Sequence, residues 1–291
     1  MTPPPAPPSS LARPFGAQTL YELIDGDASV SVAPARGALI THWRVGDRAL
    51  LYLDEGTFHD PKANVRGGVP VLFPSPGRLR DDAWRRGERG GAMKQHGFAR
   101  QRPWSVEQVD GPSITLTLGD DDDLRAMYPW AFRVSLRIAC EGSSLRMRFT
   151  VENRDTTPMP FALGLHPYFA VADAAKAHAR IPTAAREAWD NASKQRLAFT
   201  GFDLTRPEVD LHLVDHSRHD ATLMLPDGVI AITASAAFGW WVVWTLAGRD
   251  FVCLEPWTAP GDALNTGVGL TELAPGAAET FDVAMRWRPK P

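Results

Sequence analysis

Cysteine is scarce: the 291 residues contain two, Cys140 and Cys253. Two cysteines cannot build a disulfide framework, and neither has a second cysteine at a metal-ligand spacing. A reducing cytoplasm is the expected setting. Charge of one sign is also lacking. The net charge of -3 gives no footprint for a nucleic-acid or anionic-membrane partner. No apolar run approaches the roughly 18 residues that a membrane helix needs. The N-terminus, MTPPPAPPSSLARP, has no basic start followed by an apolar stretch, so it does not read as a secretory signal. No glycine-rich phosphate cradle opens a helix, which argues against a nucleotide cofactor. Long helical periods and internal repeats are missing as well.

Short alternating segments are abundant. Residues 28–33 (ASVSVA) and 38–45 (ALITHWRV) alternate with period two around Pro34-Ala35-Arg36-Gly37, and 21–24 and 50–53 read as flanking strands. Residues 105–109 and 113–118 form a hairpin around Asp110-Gly111-Pro112. The clearest hairpin joins 132–140 (FRVSLRIAC) to 145–152 (LRMRFTVE). Further strands fall at 211–214, 221–225, 229–234, 240–246, 251–255, 269–273 and 279–287. Turn signals every 8 to 12 residues or so argue an all-β chain, a large antiparallel sandwich or barrel with few short helices. The organisation expected is a Pro-rich, unpacked tail over 1–16 and a single domain over 17–291. The four carboxylates at 120–123 read as a wet loop, since they lack the alternate spacing of a calcium site.

Ten tryptophans stand out. Most are expected in the core, but this side chain also lines sugar clefts. Four places set an ionisable group in an apolar or glycine-rich frame: Arg78 after PSPG, His96 in QHGFAR, His166 in GLHPYF and Glu255 in CLEPW. A charge at the end of an apolar strand costs free energy unless it has a partner or a task. Glu255 closes a very apolar strand ahead of Pro256, which is expected to stop sheet pairing there. A carboxyl in that setting has a raised pKa and suits a base near neutrality. His166 can give or take a proton in the same range. The plainer reading of each histidine is a core side chain bonded to a carbonyl, and of each arginine a surface charge. The remaining histidines, His212 among them, sit in polar or loop contexts that suggest no role. A zinc site of His96, His166 and Glu255 would suit the residue types, but no paired-ligand motif supports it, so no metal is expected.

RGGVPVLFP followed by GR, then QHGFAR, GLHPYF, CLEPWT and a downstream GVGLTELAPG resemble, in that order, the aldose 1-epimerases or galactose mutarotases. The resemblance spans nearly the whole chain. It implies an antiparallel β-supersandwich with an open sugar cleft and cofactor-independent interconversion of the anomers of a free hexose. Glu255 would be the base at the anomeric hydroxyl and His166 the acid at the ring oxygen, on opposite sides of the C1–O5 unit. Arg78, His96 and Arg100 would hold the sugar, with Asp210 of EVDLHL binding hydroxyls. Trp257 or Phe98 would stack on the ring.

The alternatives are a hexose-6-phosphate 1-epimerase, in which Arg78 and Arg100 grip a phosphate bidentately, and a non-catalytic carbohydrate-binding sandwich. A glycoside hydrolase needs two flanking carboxylates, and the sequence offers one convincing site.

Overall fold

The computed structural model describes residues 9–290. Three sheets carry the architecture. The first is a five-stranded meander, Ser9–Phe15, Gln18–Asp25, Ala28–Ala33, Leu39–Val45 and Arg48–Ala49, in chain order. The second has seven strands in the order Asp220–Leu225, Gly228–Ala234, Ala278–Pro289, Ser144–Asn153, Phe132–Glu141, Ser113–Gly119 and Ser105–Asp110. The third has eight: Gln195–Ala198, Glu187–Asp190, Glu208–Leu213, Trp240–Leu246, Phe251–Trp257, Gly164–Leu165 and Val71–Leu72 in order, with Tyr168–Ala170 also on Phe251–Trp257. The ladders are antiparallel. This is the all-β sandwich that the alternation predicts.

Period two decides which side chains form the core. Along Phe132–Glu141, Phe132, Val134, Leu136 and Ile138 are buried while Arg133, Ser135 and Arg137 point outward. Leu145, Met147, Phe149 and Val151 do the same on the next strand. They join one continuous core with Trp241, Val243, Val252, Leu254 and Leu165 of the eight-stranded sheet.

Several local expectations change. Ser9–Phe15 pairs with Gln18–Asp25, so the described part of the expected tail is a strand up to Phe15, and 1–8 lie outside the described residues. Its alternation was masked by polar side chains at an exposed edge. Leu51 and Leu53 make isolated bridges rather than a strand, and Glu55–His59 forms a short helix capped by Asp54. Asp121 caps Asp122–Met127 by accepting from the Leu124 N–H, so the acidic run starts a helix rather than a loop. Residues 83–92, whose Arg85, Arg86 and Arg89 read from the sequence as a solvated loop, form the hairpin Ala83–Arg86 and Arg89–Ala92, with Arg86 paired to Glu272 and Arg89 over Trp130.

Candidate active site

The second face of the eight-stranded sheet, turned away from the core, gathers the ionisable residues. Directly opposed residues in an antiparallel ladder project to the same face. One row runs His212, Val242, Glu255. The next runs Asp210, Trp244, Cys253, Tyr168. A third runs Trp240, Trp257, Gly164, Leu72. Each strand contributes alternate residues, so FVCLEPW sends Cys253, Glu255 and Trp257 here while Val252 and Leu254 enter the core.

Pro256 does not end its strand: it stands opposite Trp241, and pairing runs on to Trp257. The break lies on the other side of the strand. Tyr168 is opposite Cys253 and Gly164 opposite Trp257, so the same register puts His166 across from Glu255. No ladder pair forms at that step. Successive N–H groups along a strand point to alternate neighbours. The Thr258 N–H points to the Leu163 carbonyl, so the N–H that Pro256 lacks would point the same way. The His166 and Tyr168 N–H groups turn away, to Pro70 and Gly68, so the N–H missing from Pro167 would also face the gap. Two prolines remove both donors where the Glu255 and His166 side chains meet.

His166 Nδ1 lies 3.3 Å from Glu255 Oε1, without hydrogen-bond alignment, and is left buried with no partner. Glu255 and His166, expected on either side of the C1–O5 unit, are neighbours on one sheet face. Tyr168 stacks on His166, with ring centroids 4.6 Å apart and planes 7° apart. Trp244 stands edge-on to both rings. Trp257 Nε1 donates to Glu255 Oε2 at 3.1 Å, and its ring stands edge-on between His96 and His212. Trp257 is therefore a wall and a carboxylate clamp. Phe98, the other candidate plate, is a core residue packed on Phe73 and Phe132.

His96 enters from the loop after the Arg89–Ala92 strand. Its φ is 71°, and its Nδ1 accepts from the Gly77 N–H at 3.0 Å while its own N–H donates to the Gly77 carbonyl. That clasp leaves Nε2 as the protonated nitrogen of a neutral ring, a fixed donor. His96 and His166 are 5.5 Å apart between centroids. Arg100 donates to the Gln95 carbonyl, while its Nε is buried with no partner. Arg78 adjoins Gly77, with its side chain exposed. Asp210 accepts from Asn191 at 2.8 Å and stands 3.5 Å from His212 Nε2. His212 is the residue the sequence reading passed over. It lies two positions from Asp210 and so shares its face, which is the signal that finds it.

Burial is the dominant electrostatic influence. It pushes Glu255 well above the usual carboxylate range, with the Asp210 charge adding to it and the Trp257 bond and Arg100 opposing. It pushes His166 down to about 3, aided by Arg100 and opposed by Asp210. It also pushes His96 well down, with Arg100 next. Arg100 is itself lowered by burial, against the pull of Tyr168 and Glu255. At Asp210 burial raises the pKa, but the bonds from His212 and Asn191 outweigh it and the net shift is downward. Burial thus disfavours the charged form of each, the carboxylate of Glu255 and the imidazolium of His166. His166 and His96 keep 8% and 7% of their surface exposed against 1% for Glu255, so the imidazoles form the reachable edge. A hollow of about 570 Å³ on the seven-stranded sheet, lined by Arg137 and Arg148 among others, contains none of these groups.

Within ligand reach of one another are His166, Cys253 and Glu255; Cys253 stands where the sequence suggested His96. No helix among the described residues is long and apolar enough to cross a membrane.

This geometry can be set against known proteins. The family model "Aldose 1-epimerase" matches residues 19–286. The Slr1438 protein of Synechocystis sp. PCC 6803 is 31% identical, with a TM-score of 0.87 over 100% of this chain and 99% of that one. Galactose 1-epimerase of Lactobacillus acidophilus NCFM has the same fold, with a TM-score of 0.75 at 15% identity over 97% and 99% of the two chains. A Cenchrus ciliaris protein named "Putative glucose-6-phosphate 1-epimerase" is 30% identical over 151 residues, 47% of this chain and 42% of that protein. Protein LacX (plasmid) of Lactococcus lactis subsp. lactis is 33% identical over 109 residues, 35% and 36% of the two. Both matches span less than half of the relative's length. With the model covering nearly all of it, the chain belongs to the aldose 1-epimerase family.

Proposed function

We propose that the protein interconverts the α and β anomers of a free hexose, with Glu255 and His166 as the acid/base pair and without a cofactor. The observation that carries this reading is the 3.3 Å approach of a buried carboxyl and a buried imidazole on one sheet face. Glu255 and His166 share one proton, and in the ion-pair form of the two the carboxylate takes the proton from the anomeric O1–H. As C1=O1 forms, the C1–O5 bond breaks and the imidazolium gives its proton to O5. The C1–C2 bond of the open aldehyde turns, and the reverse transfers close the ring on the other face. The two oxygens share one carbon, so adjacent acid and base can serve both, and the pair's net charge never changes. The His96 Nε2–H is a donor for a sugar oxygen, and Arg100, Asp210, His212 and the exposed Arg78 surround the ring. A reducing cytoplasm suits the two buried free thiols.

A hexose 6-phosphate is the second reading. It is favoured by the unpartnered buried Nε of Arg100, a guanidinium beside the pair that suits a phosphate oxygen. Polarimetry on freshly dissolved α-glucose, α-galactose and glucose 6-phosphate tests both. A rate above the solvent rate for the free sugars supports the first reading, and one confined to the phosphate supports the second. A solvent rate for all of them, with binding retained, would make the protein a carbohydrate binder.

A further inference from the structure

We propose that His166, Cys253 and Glu255 form a binding site for a thiophilic divalent cation, zinc being the one whose chemistry fits, and that metal and sugar exclude one another there. One ligand atom from each of the three residues lies within 4.8 Å of the others. The set is one nitrogen, one sulfur and one oxygen, a mixture that zinc accepts with a fourth position left open. With Zn–S of about 2.3 Å and Zn–N of about 2.0–2.1 Å, ligand atoms around a tetrahedral zinc stand roughly 3.2–3.6 Å apart. The His166–Glu255 distance of 3.3 Å is already in that range. The bound of 4.8 Å on the remaining separations exceeds that range by about an ångström, which a small side-chain turn about Cα–Cβ supplies.

Two further observations point to a ligand rather than to a chance cluster. His166 Nδ1 is buried beside the carboxylate with no partner, a cost that a metal bond would remove. Trp257 engages Glu255 Oε2 and leaves Oε1, the oxygen nearest His166, free to coordinate. Strand register explains why the thiol belongs to the group. Cys253 and Glu255 are alternate residues of one strand, and Tyr168, stacked on His166, stands opposite Cys253. A thiol in this position makes the pair vulnerable to zinc, which a lone carboxyl and imidazole would hold more weakly.

Metal binding stands by itself, and the exclusion of sugar rests on the proposed acid/base role. The full-length protein, in a non-chelating buffer, is titrated with zinc against a chromogenic chelator and separately with cobalt(II). The expected results are one metal per chain and a thiolate-to-cobalt charge-transfer band in the near ultraviolet. Mutarotation should be inhibited competitively with sugar, about tenfold at zinc ten times above its dissociation constant. Cys253→Ala and Cys253→Ser should weaken zinc binding by at least about 100-fold and remove the band, whereas Cys140→Ala should change neither. Absence of a stoichiometric metal, or of the thiolate band in the unaltered protein, overturns the proposal, and that measurement needs no variant to fold. Binding with the band but no mutarotation at any zinc level would keep the metal site and sink the acid/base reading. Mutarotation with no metal bound would do the reverse.

Discussion

Trp257 donates its indole N–H to Oε2 of Glu255, and the two residues are separated on their strand by Pro256 alone. The tryptophan is large enough to wall the site and polar enough to aim the carboxylate, so its two duties can be separated. Trp257→Phe keeps a ring and removes the donor. A hydrogen bond to a charged group contributes about 1.5–3 kcal/mol, so kcat should fall by roughly 10- to 100-fold with KM little changed. That bond also opposes the upward shift of Glu255, so its loss moves the ionisation of the base to higher pH. A pH profile of kcat measures this, and an unshifted profile would mean that the indole N–H has no hold on the carboxylate.

Glu255→Gln should lower the catalysed rate by at least about 10³-fold, within the range of a lost proton transfer, and leave the fold intact. Its stability should change in a pH-dependent way. Burial raises the Glu255 pKa from 4.5, so its favourable contribution is whole below that value and is lost as pH rises towards the folded pKa. The variant should therefore melt at a higher temperature than the parent, by a margin that widens from pH 4.5 upward. A constant or negative margin in melting scans would contradict the burial argument.

His166→Asn should cost about 10²- to 10⁴-fold in mutarotation. In the parent protein the rate should pass through pH 6.5, where a free imidazole titrates, without an inflection. The acid limb belongs near the depressed value of about 3, where the pair takes up a second proton. Unfolded histidine binds protons below 6.5, so this residue's stabilising effect is complete above that pH and lost as the pH falls towards about 3. Polarimetry across the range measures the rate, and a break at 6.5 would give His166 an ordinary, solvated environment.

Gly97→Ala tests the loop that delivers His96. Gly97 has a φ of +72°, and an added Cβ would sit 2.2 Å from the Phe73 carbonyl oxygen. The clash and the left-handed backbone together should cost about 2–4 kcal/mol of stability, read by denaturant unfolding, with KM raised because His96 moves. A cost below about 0.5 kcal/mol would mean that the loop yields.

Much of this arrangement is legible in the residues. Ala28–Ala33 and the hairpin of Phe132–Glu141 with Ser144–Asn153 declare themselves by alternation, because one face is dry and the other wet. Glu255, His166 and His96 declare themselves as ionisable groups in apolar or glycine-rich frames, and the fold brings these three together; Arg100 entered through the family resemblance. Phe251–Trp257 is buried on both faces, which hides its period and with it the place of Cys253. His212 hid behind its polar neighbours. The roles of Pro167 and Pro256 depend on which neighbour each N–H would have faced, and only the ladder register supplies that. Arg78, the fourth of the groups singled out in the sequence, has an exposed side chain.

The paired prolines also bear on how the centre can move. With two rungs omitted from the ladder, Gly164–Trp257 and Tyr168–Cys253 stay fastened above and below an unlaced stretch. Parting the strands there would break no main-chain bond between them, as a buttonhole opens without unravelling the cloth on either side. Under the proposed acid/base role, a proton transfer that draws the carboxyl and imidazole together and lets them separate would leave the main-chain bonds of the surrounding sheet intact.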